Sequence, residues 1–192
     1  MGLLALGLLL FLGVHSIRAF AEEWRDRQIA RFGKQPWRGL YSLLSIAGTV
    51  LIVMGFNRAG EQEPWWLPLS FMPHVTALLV LVAFILLVAA YVPANHFKAK
   101  IGHPMLAGTK LWAFAHLLVN GQPRHILLFG GFLVWAIIDF VASRRRDRAA
   151  GTTYPAGTVK GDVITVVVGV VAWAAFAFYL HKALIGVSPL GR

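Results

Sequence analysis

The sequence predicts an all-α, polytopic transmembrane helical bundle of about six spans, forming one domain over residues 1–192. Three observations carry this. Apolar residues make up 58% of the chain and charged residues 14%, against about 25% charged in a soluble domain. The charge is gathered between long apolar runs, as it is in loops joining membrane spans. The basic residues also fall mainly in alternate loops along the whole chain, which favours an even number of crossings.

The first apolar run, 2–20, closes on Arg18. Ala19-Phe20-Ala21 resembles a signal cleavage site, but no positive residue precedes the run and five more runs follow. It therefore reads as an uncleaved first helix. A loop with Arg25, Arg27, Arg31, Lys34 and Arg38 leads to the second run, 40–57. The turn Glu61-Gln62-Glu63-Pro64-Trp65-Trp66 brings two tryptophans suited to the membrane interface. The third run, 74–92, precedes Lys98 and Lys100, and the fourth, 105–119, is short for a span. Either its neighbours shelter its ends or it tilts little in a locally thinned bilayer. The fifth, 125–142, precedes Arg144, Arg145, Arg146, Arg148 and Lys160. A polar connector from Gly151 to Gly161, expected to be flexible, leads to the sixth run, 163–182. These lengths correspond to helices of about 22–30 Å.

The opposite loops and the C-terminal end carry only Arg58, Arg124, Lys182 and Arg192. The basic loops are thus expected in the cytoplasm and both termini in the periplasm. Pro93, Pro104 and Pro123 sit at run boundaries, where a missing amide is tolerated. Short loops predict antiparallel neighbours in an up-and-down bundle.

The net charge of +10 has no soluble module to present it to nucleic acid. Its expected partner is the anionic headgroup layer of a lipid bilayer. The chain has no cysteine, which excludes disulfides, thiolate nucleophiles, iron–sulfur clusters and covalently attached haem. Any metal or cofactor site must use histidine, carboxylate or carbonyl groups. Neither a GxSxG nor an HExxH motif nor a phosphate-binding glycine loop is present. The eight carboxylates lie mostly in loops, leaving little for paired acid–base chemistry.

Ionisable residues inside a bilayer are costly and mark function by default. His116 stands in an apolar stretch, and Thr109, Trp112, His116 and Asn120 follow the spacing of one helical face. That stripe should face the bundle interior, where His116 is either a ligand or a structural histidine bonded to a neighbouring helix. His15 has Arg18 one turn further on the same face, so it is either a ligand or a packing residue beside a snorkelling arginine. His103 precedes Pro104 at a helix start, which also suits a capping role. His103 and His116 fall on nearly opposite helical faces and are not expected to grip one ion together. His15 and His116 are expected about 6 Å to either side of the midplane, which suits a haem lying parallel to the membrane. A His15–His103 pair on the cytoplasmic side is the rival arrangement. Asp139 closes the fifth run, His74 and His181 lie near the outer boundary, and His96 and His125 read as loop residues.

The string Gly102-His103-Pro104-Met105-Leu106, continuing through Leu111-Trp112-Ala113-Phe114-Ala115-His116-Leu117-Leu118-Val119-Asn120-Gly121, resembles the signature of the NnrU family. So do the stretch with His15, the segment Arg38-Gly39-Leu40-Tyr41-Ser42-Leu43, and Leu128-Phe129-Gly130-Gly131-Phe132-Leu133-Val134-Trp135-Ala136. The resemblance implies a bacterial inner-membrane protein associated with nitrite and nitric oxide reduction (denitrification). The same superfamily includes the plant zeta-carotene isomerase, which holds b-type haem through histidines and isomerises a carotenoid double bond.

Carried onto this chain, the resemblance implies haem b with His15 and His116 as metal ligands and His103 as an additional or alternate cofactor-binding residue. The cysteine ligand proposed for the plant enzyme has no counterpart here. A ligating imidazole needs an acceptor for its second nitrogen, for which Asn120, Thr109 or a backbone carbonyl is available. Arg18, Arg25 and Lys110 are candidates for the propionates, and Trp112 and Phe114 for the macrocycle wall. The function expected is isomerase or redox chemistry on a lipophilic, carotenoid-like or quinone-like molecule. The alternatives are a non-enzymatic accessory or transport protein of nitric oxide respiration, and a structural partner whose histidines only tie helices together.

Overall fold

The computed structural model describes residues 1–190, so Arg192 lies outside the described residues. The helices are α1 (Gly2–Phe20), α2 (Glu22–Phe32), α3 (Lys34–Arg58), α4 (Met72–Ala89), α5 (His96–Ile101), α6 (Pro104–Val119), α7 (Pro123–Ala149), α8 (Val159–Ala175) and α9 (His181–Ile185). One π-turn, Phe176–Leu180, joins α8 to α9 into a single long rod. No strand occurs among the described residues. Five helices (α1, α3, α4, α7 and the α8–α9 rod) are long and apolar enough to cross a membrane. The sixth is α6, the short one, at 16 residues and about 24 Å. It packs between α4 and α7.

Three of the five consecutive pairs of spans, α1–α3, α4–α6 and α6–α7, pack together as expected, whereas α3 and α4, and α7 and α8, do not stand side by side. α1 also packs on α7, and α4 on α8. The row is therefore α3, α1, α7, α6, α4, α8, with α3 and α4 separated by three helices. Close approach of backbones makes the tightest crossing. Gly7, Gly48 and Gly55 let α1 and α3 touch backbone to backbone: a Cβ on Gly7 would lie 2.6 Å from the Ile52 nitrogen, and one on Gly55 would run into Leu4. Between lipid-solvated helices, such close packing replaces the hydrophobic drive that water would supply. Gly108 and Gly169 play the same part where α6 and α8 meet α4. Leucine, isoleucine and valine side chains left on the outside, such as Leu9, Leu43 and Val171, then face acyl chains.

Two short helices fall where the sequence reading has only loops. α2 follows the break at Ala21, carries Glu22 and Glu23 in its first turn and Arg31 in its last, and buries no residue. This charge order suits the helix dipole, and a helix with no buried face suits the membrane surface. α5 is capped by Asn95, whose Oδ1 accepts the Lys98 N–H at 2.7 Å. The Asn95 amide donates to the Ala89 and Val92 carbonyls, so a nearly sealed polar side chain is satisfied.

The connector before α8 is tied down at several points. Thr158 N–H donates to the Ala94 carbonyl at 2.8 Å, and Thr158 Oγ1 caps α8 by accepting the Gly161 N–H. Asp162 Oδ1 accepts the His96 N–H at 2.8 Å while its Oδ2 accepts from His96 Nδ1 at 2.7 Å. At the other end of the bundle, Trp65 N–H donates to the Gly121 carbonyl at 2.9 Å, joining the tryptophan turn to the α6–α7 turn.

Candidate cofactor and ligand site

The ends of α1 and α7, the starts of α3 and α6, and parts of α2 and α5 surround a partly open cavity of about 1160 Å³. It lies at the end of the bundle that bears the three basic loops. His15, Val14, Ile17, Trp37, Tyr41, Leu106 and Trp135 form its inner wall, and Arg18, Arg25, Arg38, Lys98 and Arg146 its rim, with Glu22, Asp139, His103 and Asp147 among them. Ligand pockets are usually about 300–1,000 Å³, so there is room for a large group.

His15 is held locally. Its Nδ1 lies 2.7 Å from the Phe11 carbonyl oxygen. A carbonyl only accepts, so Nδ1 carries the proton and Nε2 the lone pair. The ring stacks on Phe11, with centroids 4.1 Å apart, and packs against Tyr41 and edge-on to Trp135. Nε2 makes no hydrogen bond and is not sealed off. This is a metal-ready imidazole: tautomer fixed by a backbone carbonyl, ring clamped, one nitrogen free.

His116 repeats the device on α6. Its Nδ1 donates to the Trp112 carbonyl at 2.8 Å, and its ring stacks on Phe129 at 4.7 Å. Asn120 donates to the His116 carbonyl and Thr109 to that of Met105. Of the three acceptors considered for the imidazole, the backbone carbonyl is the one used. His116 does not line the cavity that His15 lines. Ring contacts between them run through Phe11 or Trp135, then Phe132, then Trp112. In this arrangement, three rings stand between two histidines that a bis-histidine haem would bring to one iron.

His103 occupies the N-cap position of α6 but makes no cap bond. Its ring turns instead to Asp147, Nε2 to Oδ2 at 2.8 Å, and Tyr154 Oη donates to the same carboxylate oxygen at 2.6 Å. Burial, and after it this bond to Asp147, push the Tyr154 phenol up to about 12. The His103 nitrogen left without a partner is Nδ1.

The other candidates separate clearly. Arg18 lines the cavity and pairs with Glu22 at 3.3 Å, and Arg25 lines it and pairs with Asp26 at 2.7 Å. Lys110 lies over the Phe140 ring at 3.6 Å and outside the cavity lining. Trp112 packs among Phe129, Phe132 and His116, whereas Phe114 is exposed and outside the cavity lining. His125 belongs to the first turn of α7 and packs on Phe56; His96 opens α5; His181 bonds the Val187 carbonyl.

Asp147, Tyr154, Tyr41 and Trp135 are the site residues that sequence reasoning passed over. Asp147 carried one signal, being the lone acid inside an arginine run.

A haem needs an imidazole lone pair, cations for its propionates and an apolar wall. His15, the Arg18–Arg25–Arg38 rim and the Trp37–Tyr41–Trp135 wall supply all three. The residues fit the group at His15; His116, as placed, does not share it. Among the described residues, no group of three or more His, Asp or Glu side chains converges on a bare ion; a porphyrin brings four nitrogens of its own.

A family model described as NnrU protein matches residues 3–189, nearly the whole chain. No curated protein and no solved structure matches it.

Proposed function

The chain belongs to the NnrU family, and from that premise we propose that it binds haem b in the basic-rimmed cavity, where His15 would hold the iron, and acts on a lipophilic molecule as an isomerase or redox-linked protein. The observation that carries the reading is the free Nε2 of His15, fixed in tautomer by the Phe11 carbonyl and set in the wall of a cavity of about 1160 Å³. When bound, haem supplies a Lewis-acidic or one-electron centre that this cysteine-free chain lacks.

The chain's own residues do the rest. The Phe11 carbonyl and ring hold the His15 imidazole in one orientation, which raises its basicity as a ligand. Arg18, Arg25 and Arg38 receive carboxylates at the rim, where paired charges are still partly hydrated. Trp37, Tyr41 and Trp135 exclude water from the inner wall and leave an apolar surface for a hydrocarbon chain. In this proposal the basic-loop end faces the cytoplasm, the membrane is the bacterial inner membrane, and both termini are periplasmic.

The test is the absorption spectrum of protein purified in detergent, oxidised and then reduced. A Soret band with reduced α and β bands is expected, lost in His15→Ala. A colourless wild type, expressed with haem precursor, removes the haem and leaves the accessory-protein reading. A spectrum untouched by His15→Ala removes the ligand assignment.

A further inference from the structure

We infer that His103 reads a hydroxyl group, and that the ligand of the cavity is therefore a lipophile with a hydroxyl head, of the phenol, quinol or hydroxylated-polyene class. This rests on the cavity being a lipophile site and not on the presence of haem.

The argument is one of donors and acceptors. Asp147 is a carboxylate, which only accepts; its Oδ2 lies 2.8 Å from His103 Nε2 and takes the Tyr154 O–H at 2.6 Å as well. Nε2 therefore holds a ring proton, and in the neutral imidazole Nδ1 presents a lone pair. Three separate pieces of chain enforce this one tautomer: the α6 start, the α7 end and the connector. Nδ1 has no hydrogen-bond partner and is not sealed, while the residue lines the cavity. No arginine or lysine nitrogen among the described residues bonds to it, although the rim holds five such side chains.

The other histidine of the lining repeats the polarity, since His15 Nε2 is also a lone pair. A ketone, ether or bare hydrocarbon would set lone pair against lone pair, or offer Nδ1 no donor, and so forgo the bond. A hydroxyl satisfies it. If His15 holds iron, His103 is the one imidazole acceptor left in the cavity for the substrate head. If it does not, both rings accept. The size of the cavity and its apolar inner wall accommodate the rest of such a molecule.

The experiment uses two redox-inert probes that differ only at the head: para-decylphenol, and its methyl ether, para-decylanisole. Binding to the full-length protein in detergent is followed by tryptophan fluorescence, since Trp37 and Trp135 line the cavity. Wild type is expected to bind the phenol about tenfold more tightly than the ether, the worth of one buried hydrogen bond. His15→Ala, which removes the other imidazole acceptor, should keep the preference. On that background His103→Phe should bring the ratio to about one, and His103→Asn, which keeps an acceptor atom near Nδ1, should restore part of it. A wild-type ratio of about one overturns the inference without any variant, and so does a ratio lost in His15→Ala or one that survives His103→Phe on the His15→Ala background. A wild type without a Soret band that still discriminates sinks the haem reading alone; a coloured one that does not discriminate sinks this inference alone.

Discussion

Asp162 holds His96 at two points, one oxygen on the backbone N–H at 2.8 Å and the other on Nδ1 at 2.7 Å. This pair clips the first turn of α8 to the start of α5 and fixes where the last rod stands.

Asp162→Ala removes both acceptors at once. The expected result is a melting temperature lower by a few degrees, with faster proteolysis of the 150–158 connector than in wild type. A connector equally resistant to protease would mean that the Thr158–Ala94 bonds alone secure it.

Tyr154 gives a pH signature. Its phenol, pushed up to about 12 by burial and by Asp147, is neutral in the fold well above the ordinary value of about 10. A folded-state pKa above the unfolded one stabilises the protein below the unfolded value. That contribution is lost as pH rises from about 10 through about 12. Alkaline difference absorbance of wild type minus Tyr154→Phe should show one phenol ionising late; a phenol titrating near its ordinary value would contradict the Asp147 bond.

The α1–α3 crossing tolerates no side chain. Gly55→Ala places a methyl against Leu4, and the separation it forces should cost about 1–3 kcal/mol. Gly39→Ala is the control, because nothing lies within 4 Å of its Cβ and alanine favours a helix by about 0.5–1 kcal/mol. Thermal unfolding in detergent compares the two. Equal stabilities would remove the close crossing.

Orientation is open to direct labelling because the chain has no native cysteine. Arg27→Cys should react with an impermeant maleimide only after spheroplasts are lysed. Glu61→Cys should react from outside in intact ones. The reverse pattern would invert the protein in the membrane.

The spans were legible because each is a long apolar run with basic punctuation: 2–20 is α1, and 105–119 differs from α6 by one residue. α2 and α5 were not, since a short helix of mixed, charged composition reads as loop. Order in the row was also hidden. It depends on where glycines let backbones touch, and Gly7 meeting Ile52 is a property of two segments together.

The same division applies to the site. The bonds that fix His15 and His116 span four residues along one helix, and a backbone carbonyl was among the acceptors anticipated. The partners of His103 lie 44 and 51 residues away, beyond the reach of any periodicity. Phe114, two positions from His116, was expected at the macrocycle and is exposed outside the cavity lining, because two steps along a helix turn a side chain well away from its neighbour.

The distant partners of His103 also set an order of biosynthesis. During translation the α6 start emerges long before Asp147, and Asp147 before Tyr154, so the imidazole has no fixed proton position until the end of α7 has left the ribosome. A nascent chain halted after α7 would lack Ala150 and Thr152 of the chamber lining and the phenol that shares the Asp147 carboxylate. Maturation of the chamber thus finishes late, close to the moment the final rod is inserted.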